Sequence, residues 1–205
     1  MPTCSYCGQV VDRTEREHVF PSNLYPRSKA KSAVQRLTIA ACRECNDSWS
    51  DDEAHFRNVL VISGDNPNAP RRELWDGPIR RSFDEPDAAK RIDDLLALMK
   101  PVDISGIKRH MIDPAKDDRV LSVVRKIIRG LAHYHNLLQF ALDDRVWADV
   151  QRYEIPEQLV FPMTYHHREP DVAEYWYGLY DSPTLHSAWL LRFFEAPTFV
   201  GMISP

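Results

Sequence analysis

The chain has 205 residues, 43% of them hydrophobic, and a formal net charge of -4. That is enough apolar material for a packed core, and the charge argues against a basic coat over the whole surface. No apolar run nears the roughly 20 residues of a membrane helix, and no secretion signal precedes Cys4, which points to a cytoplasmic protein.

All four cysteines fall in two pairs, Cys4/Cys7 and Cys42/Cys45, with none left over. Without a secretion signal, that pattern favours a metal over disulfides. Each pair has the spacing of a zinc knuckle, and Gly8 suits the tight turn after the first. Four thiolates fill a tetrahedral ion, so this zinc is expected to be structural.

Taken in order, residues 9–12 read as a short strand and residues 16–20 as a second, carrying Glu17 and His18. Residues 22–32 form a Pro- and Ser-rich loop, and residues 34–41 return the chain to the second knuckle. Between His18 and Arg43 there is no acid, only Arg27, Lys29, Lys31, Arg36 and Arg43. This strip reads either as a phosphate-facing surface or as an ordinary solvated loop. The run Ser50 to Glu53 has the form of a capping box and predicts a helix over residues 50–62.

The strongest break is at residues 63–70, which divides the chain into units 1–64 and 71–205. Residues 71–82 read as irregular, with a turn at residues 75–78. A helix ending at Pro101 places Ile92, Leu95, Leu96 and Met99 on one face. A longer helix from about Asp117 carries Leu121, Val124, Ile128, Leu131, His135 and Leu138 as a core stripe. The last third predicts five strands, at residues 147–155, 159–164, 175–180, 187–194 and 198–203, forming an antiparallel sheet on the two helices. The fold class is therefore α+β.

With these residues in view, the first 60 or so positions resemble the HNH nucleases: two Cys-x-x-Cys pairs, the second followed by Asn46, bracketing an acid-histidine dipeptide. The resemblance implies a ββα-metal, treble-clef-like unit followed by a helical and antiparallel-sheet domain. It implies cleavage of DNA, with RNA not excluded, in a bacterial or phage setting. It makes His18 the general base and gives Glu17 and Asn46 a catalytic magnesium or manganese ion. This chain has Glu17 where the family usually has Asp, and it lacks the family's middle asparagine, for which Gln35 is the nearest substitute.

The chemistry is coherent with those assignments. A neutral imidazole can take a proton from water at physiological pH, and a hard cation held by oxygen ligands can neutralise charge on a phosphate. Adjacent strand residues point to opposite faces, so Glu17 and His18 share a site only at a bend or strand end. The basic strip would grip the backbone. The alternative is a non-catalytic zinc-knuckle module that binds nucleic acid or protein.

Other candidates have plainer readings. His166 and His167 read as a polar loop, His133 and His135 as packing residues, and Glu53 as part of the capping box. His55 reaches the site only if the helix restarts at Ser50. Trp75, Trp147, Trp176 and Trp189 read as core aromatics, one of which could stack on a base if exposed. Residues 71–205 carry no second catalytic constellation and are assigned to groove shaping, homodimerisation or partner binding.

Overall fold

The structure, a computed structural model, describes residues 1–30, 34–63, 68–86, 88–140 and 142–205. After the first Cys pair, Gly8 takes φ +71°, a left-handed angle that strains any residue with a Cβ. Residues 9–12 make only an isolated bridge, Thr3 to Val10. Strand β1 (Glu15–His18) pairs antiparallel with β2 (Thr38–Ala41), placing Glu17 opposite Ile39 and His18 opposite Thr38.

Helix α1 (Arg43–Asp47) begins inside the second knuckle, where the Cys42 side chain caps it by accepting from the Cys45 amide at 3.4 Å. Helix α2 (Ser50–Ile62) then restarts with the expected bounds. Its cap differs from expectation. Trp49, not Ser50, is the capping residue, and no side chain bonds there. The carboxylate of Glu53 is therefore available for another partner.

The break expected at residues 63–70 falls partly outside the described residues, at 64–67. Beyond it, residues 71–82 are helical rather than irregular. Helix α3 (Ala69–Leu74) passes through a π turn (Trp75–Ile79) into α4 (Arg80–Ser82). Pro78 explains the widening, because it has no N–H for the regular ladder and its ring crowds the preceding turn. Helix α5 (Ala88–Ala97) buries Leu95 but leaves Leu96 exposed. Pro101 does not end it; it lies in β3 (Met99–Ile104), which pairs with β4 (Ile107–Ile112) around Ser105-Gly106. Both turn residues have positive φ, as a tight hairpin needs.

Helix α6 (Asp118–Tyr134) is capped by Asp117, whose Oδ1 accepts from the Arg119 amide at 2.9 Å. Four of the five expected strands appear: β5 (Val146–Val150), β7 (Ala173–Leu179), β8 (Ser187–Phe193) and β9 (Thr198–Ile203). Residues 159–163 instead belong to the end of α7 (Glu157–Val160) and the turn after it. The fifth strand is β6 (Thr164–Glu169), which carries His166 and His167 in place of the loop expected there. His166 stacks on Tyr175 and Tyr177, with centroids 5.2 and 5.1 Å apart. The sheet is antiparallel throughout, in the order β5-β9-β8-β7-β6.

One face of this sheet forms the core with α6 and α2. Phe56 of α2 packs edge-on against Phe193 at 5.3 Å, and Phe20, just past β1, meets Tyr175 at 5.8 Å. A single apolar cluster thus runs from the first hairpin to the last strand. Helix α6 is the spine of the arrangement. Val120, Val124, Ile127, Ile128 and Leu131 are fully buried. A second face, with Lys126, Arg129 and His133 at helical spacing, reaches the zinc-knuckle unit. Arg129 donates to the Tyr6 carbonyl at 2.9 Å, and His133 Nε2 lies 3.0 Å from Ser5 Oγ. Among the described residues no helix is long and apolar enough to cross a membrane.

Candidate functional site

The four cysteines converge near the N-terminus. Their Sγ atoms all lie within 4.8 Å of one another, and Cys7 and Cys42 are 3.9 Å apart. Tetrahedral zinc at about 2.3 Å from each sulfur would set S···S near 3.8 Å, so the cluster fits a metal ion such as zinc. Burial pushes the Cys4 thiol up, but surrounding amides, Tyr6 N–H at 3.4 Å among them, hold it down at about 7. Burial and the neighbouring sulfurs push Cys45 the other way. Four thiolates at this range repel, and a cation in their midst removes that repulsion.

The hairpin held between the knuckles delivers Glu17 to an unexpected partner. The ammonium of Lys126, on α6, is fully buried and ion-paired to Oε1 of Glu17 and Oε1 of Glu53. It also donates to the His18 carbonyl at 3.2 Å, with the Trp49 ring centroid 5.4 Å away. Three oxygens from β1 and α2 therefore surround one cation contributed by a helix over 70 residues further along. Burial still leaves the Glu53 carboxyl raised above its usual range, despite the opposing pull of Lys126. Sequence reasoning missed both Lys126 and the role of Glu53. The available signal was a lone lysine in an apolar run, Val123-Val124-Arg125-Lys126-Ile127-Ile128.

His18 is half-buried. Burial comes first, and the positive charges of Arg36, Lys126 and Arg16 add to it, lowering the imidazole below its ordinary value. At neutral pH the ring is uncharged. Its Nδ1 is buried without a hydrogen-bond partner. Gln35 does not supply one: it is exposed and precedes the β1–β2 ladder, in which His18 faces Thr38.

Asn46 makes no hydrogen bond to Lys126, Glu17 or Glu53. Its Nδ2 donates to Glu15 Oε2 at 3.2 Å, and its Oδ1 is buried without a partner. The oxygens around the Lys126 ammonium are thus those of Glu17, Glu53 and the His18 carbonyl, with Asn46 bonded to Glu15. His55 has partners of its own as well. Helix α2 does restart at Ser50, but His55 Nε2 sits 2.6 Å from Asp117 Oδ2, in contact with Arg119.

Two residues of the basic strip, Lys29 and Arg36, are neutralised inside the protein. Lys29 pairs with Asp171 at 2.6 Å and lies 3.9 Å from the buried Glu169. Arg36 is 4.0 Å from Glu169, donates to the Lys29 carbonyl at 3.2 Å, and stacks on Tyr25. These contacts tie the loop to the β6–β7 turn. Arg43 pairs with Asp47 at 3.4 Å along α1. Lys31 lies outside the described residues, and Arg27 is exposed with no ion pair among the described residues. Of the tryptophans expected in the core, Trp189 is fully buried while Trp75 and Trp147 are exposed.

Compared with known protein families, with curated proteins and with solved structures, the chain finds no match in any of the three.

Proposed function

We propose that the protein is an HNH-type nuclease that hydrolyses phosphodiester bonds of DNA, with His18 as the general base. The observation that carries this reading is the convergence of Glu17, Glu53 and the His18 carbonyl on one cation position beside a neutral imidazole. A neutral ring can accept a proton from an attacking water, and burial, aided by the positive groups around it, favours that neutral form. The β1–β2 hairpin and α2, braced by the cysteine cluster, fix that geometry.

The oxygen donor set has the chemistry of a hard-cation site. The Lys126 ammonium now stands in it, so magnesium or manganese would compete with Lys126 for Glu17 and Glu53. When bound, such an ion supplies charge neutralisation to the phosphate oxygens. Glu17 orients the cation and His18 moves the proton. Asn46, with its unpartnered Oδ1, stands beside Glu15 and is given no step.

A second reading, the zinc-knuckle module that only binds, is favoured by the same lysine, which already neutralises Glu17, and by the absence of any partner for His18 Nδ1. The two separate in one experiment. Wild type and His18→Ala, both with zinc content verified, are assayed on single- and double-stranded DNA and RNA with magnesium, with manganese, and with neither. The nuclease reading expects metal-stimulated cleavage that falls about 10²- to 10⁴-fold in the variant. Equal rates for the two proteins remove His18 as base. No cleavage of any substrate by wild type leaves the binding module.

A further inference from the structure

With Lys29 and Arg36 engaged internally, the protein's grip on a polyanion has to come from elsewhere. One turn along α2 from Glu53, about 6 Å of helical rise, lies Arg57, on the same side of the helix. Its guanidinium is half-buried, and its hydrogen bonds run from Nε and Nη2 to Asn58 Oδ1, at 3.1 and 2.9 Å. No carboxylate among the described residues pairs with it, and burial lowers its proton affinity with no opposing charge to restore it.

Arg57 lines a cavity of about 300 Å³ together with Arg27, from the 3-10 turn Arg27–Lys29, and Arg81 of α4. Glu73 of α3 is the one acid on its wall. Its Oε1 accepts from the Ser28 amide at 3.0 Å, so it anchors the turn that carries Arg27, and it forms no ion pair with the three arginines. Asn23 also lines the cavity, and its Oδ1 is buried without a partner. An amide of this kind can be turned to present its NH₂ instead.

Three guanidinium groups against one carboxylate leave the cavity with a net positive lining. A partly desolvated charge without a counter-ion is costly, and a guanidinium fork matches the oxygens of a phosphate. Glu53 and Arg57, one turn apart on α2, also connect the Lys126 cluster and the cavity through one helix. We propose that this cavity is the seat of a phosphate of a bound nucleic-acid strand, with Arg57 as the inner ligand and Arg27 and Arg81 as the outer ones. The assignment of the phosphate to a strand rests on the nuclease reading.

The test uses the full-length, zinc-loaded protein without added divalent ions, so that nothing is cut. Anisotropy of labelled single-stranded and duplex oligonucleotides is measured over a salt series for wild type, Arg57→Gln, Arg81→Gln and Arg27→Gln. Arg27 and Arg81 are exposed, so their variants should fold even if Arg57→Gln does not; circular dichroism and zinc content verify all three. The expected result is weakening of about tenfold or more for Arg57→Gln, with the log–log salt slope shallower by about one per lost contact. Unchanged affinity and slope in all three variants overturns the proposal.

A parallel arm measures melting temperature in millimolar inorganic phosphate. If wild type binds no oligonucleotide, yet phosphate protects it in an Arg57-dependent way, the seat takes a free anion and the strand assignment is overturned. Arginine-dependent oligonucleotide binding without cleavage keeps the seat and removes the nuclease reading. Metal-stimulated cleavage that is undiminished in the arginine variants does the reverse.

Discussion

Replacing Lys126 with methionine keeps most of the side-chain volume but removes the cation between Glu17 and Glu53. The lysine is fully buried, and the two carboxylate side chains are only 13% and 15% exposed, so solvent can do little to replace it. Breaking a buried pair in this way costs about 3–5 kcal/mol. The upper part of that range is expected here, since two like charges are left facing each other. In a chain of this size the loss corresponds to a fall of roughly 6–20 °C in Tm. Thermal melting by circular dichroism at pH 7.5, in buffer freed of divalent ions, reads it directly. Magnesium or manganese should then restore part of the loss in the Lys126→Met protein and have little effect on wild type, because the three-oxygen donor set now lacks its ammonium. A fall of less than about 2 °C would refute the reasoning, since it would mean that the ion pairs seen at Lys126 carry no net stability.

The other predictions concern the zinc unit, an acid-sensitive histidine and the α6–sheet contact. Cys42→Ser should lower bound zinc from one ion per chain to substoichiometric levels and unfold the N-terminal hairpin, because structural zinc contributes about 10–16 kcal/mol in small zinc-binding modules. Metal analysis together with circular dichroism checks this, and a zinc-free variant with an unchanged melting curve would count against it. His135 is partly buried beside His166, and burial, reinforced by that neighbour, lowers its pKa to about 4. The unfolded chain binds this proton near pH 6.5, so between those values the unfolded state holds more protons. Stability therefore falls as pH drops from 6.5 towards 4. The Tm of a His135→Gln protein should depend less steeply on pH across that window, and equal slopes would show that His135 contributes nothing. Gly201→Ala would set its Cβ 2.1 Å from Ile128 Cδ1 and 3.2 Å from the Trp147 carbonyl oxygen. The expected cost is about 1–3 kcal/mol, read by urea denaturation. A neutral result would mean that α6 can withdraw from the sheet.

Much of the local structure was legible in the sequence because its signals are local. Paired cysteines two residues apart, the apolar run before the second pair, the bounds of α2 and the aromatic, β-branched strands of the last third all follow from short-range spacing. The α+β class and the clustering of the four cysteines follow from those signals. Errors arose where one residue can serve two structures. Pro78 widens a helix instead of marking a turn, Pro101 occupies an edge strand instead of ending a helix, and His166 is a strand residue because Tyr175 and Tyr177 stack on it.

The charge pairing belongs to tertiary structure alone. Glu53 has the sequence setting of a capping residue, and Lys29 and Arg36 that of a phosphate grip. Their partners, Lys126, Asp171 and Glu169, lie far along the chain. A charge in water needs no particular neighbour, whereas a buried one must find its counter-ion wherever the fold supplies it. Packing of α6 against the zinc-knuckle unit drives Lys126 out of solvent, and that burial selects the carboxylates of Glu17 and Glu53. Burial of Arg57 on the same helix as Glu53, with no carboxylate paired to it among the described residues, is likewise a consequence of packing that its sequence neighbours do not reveal.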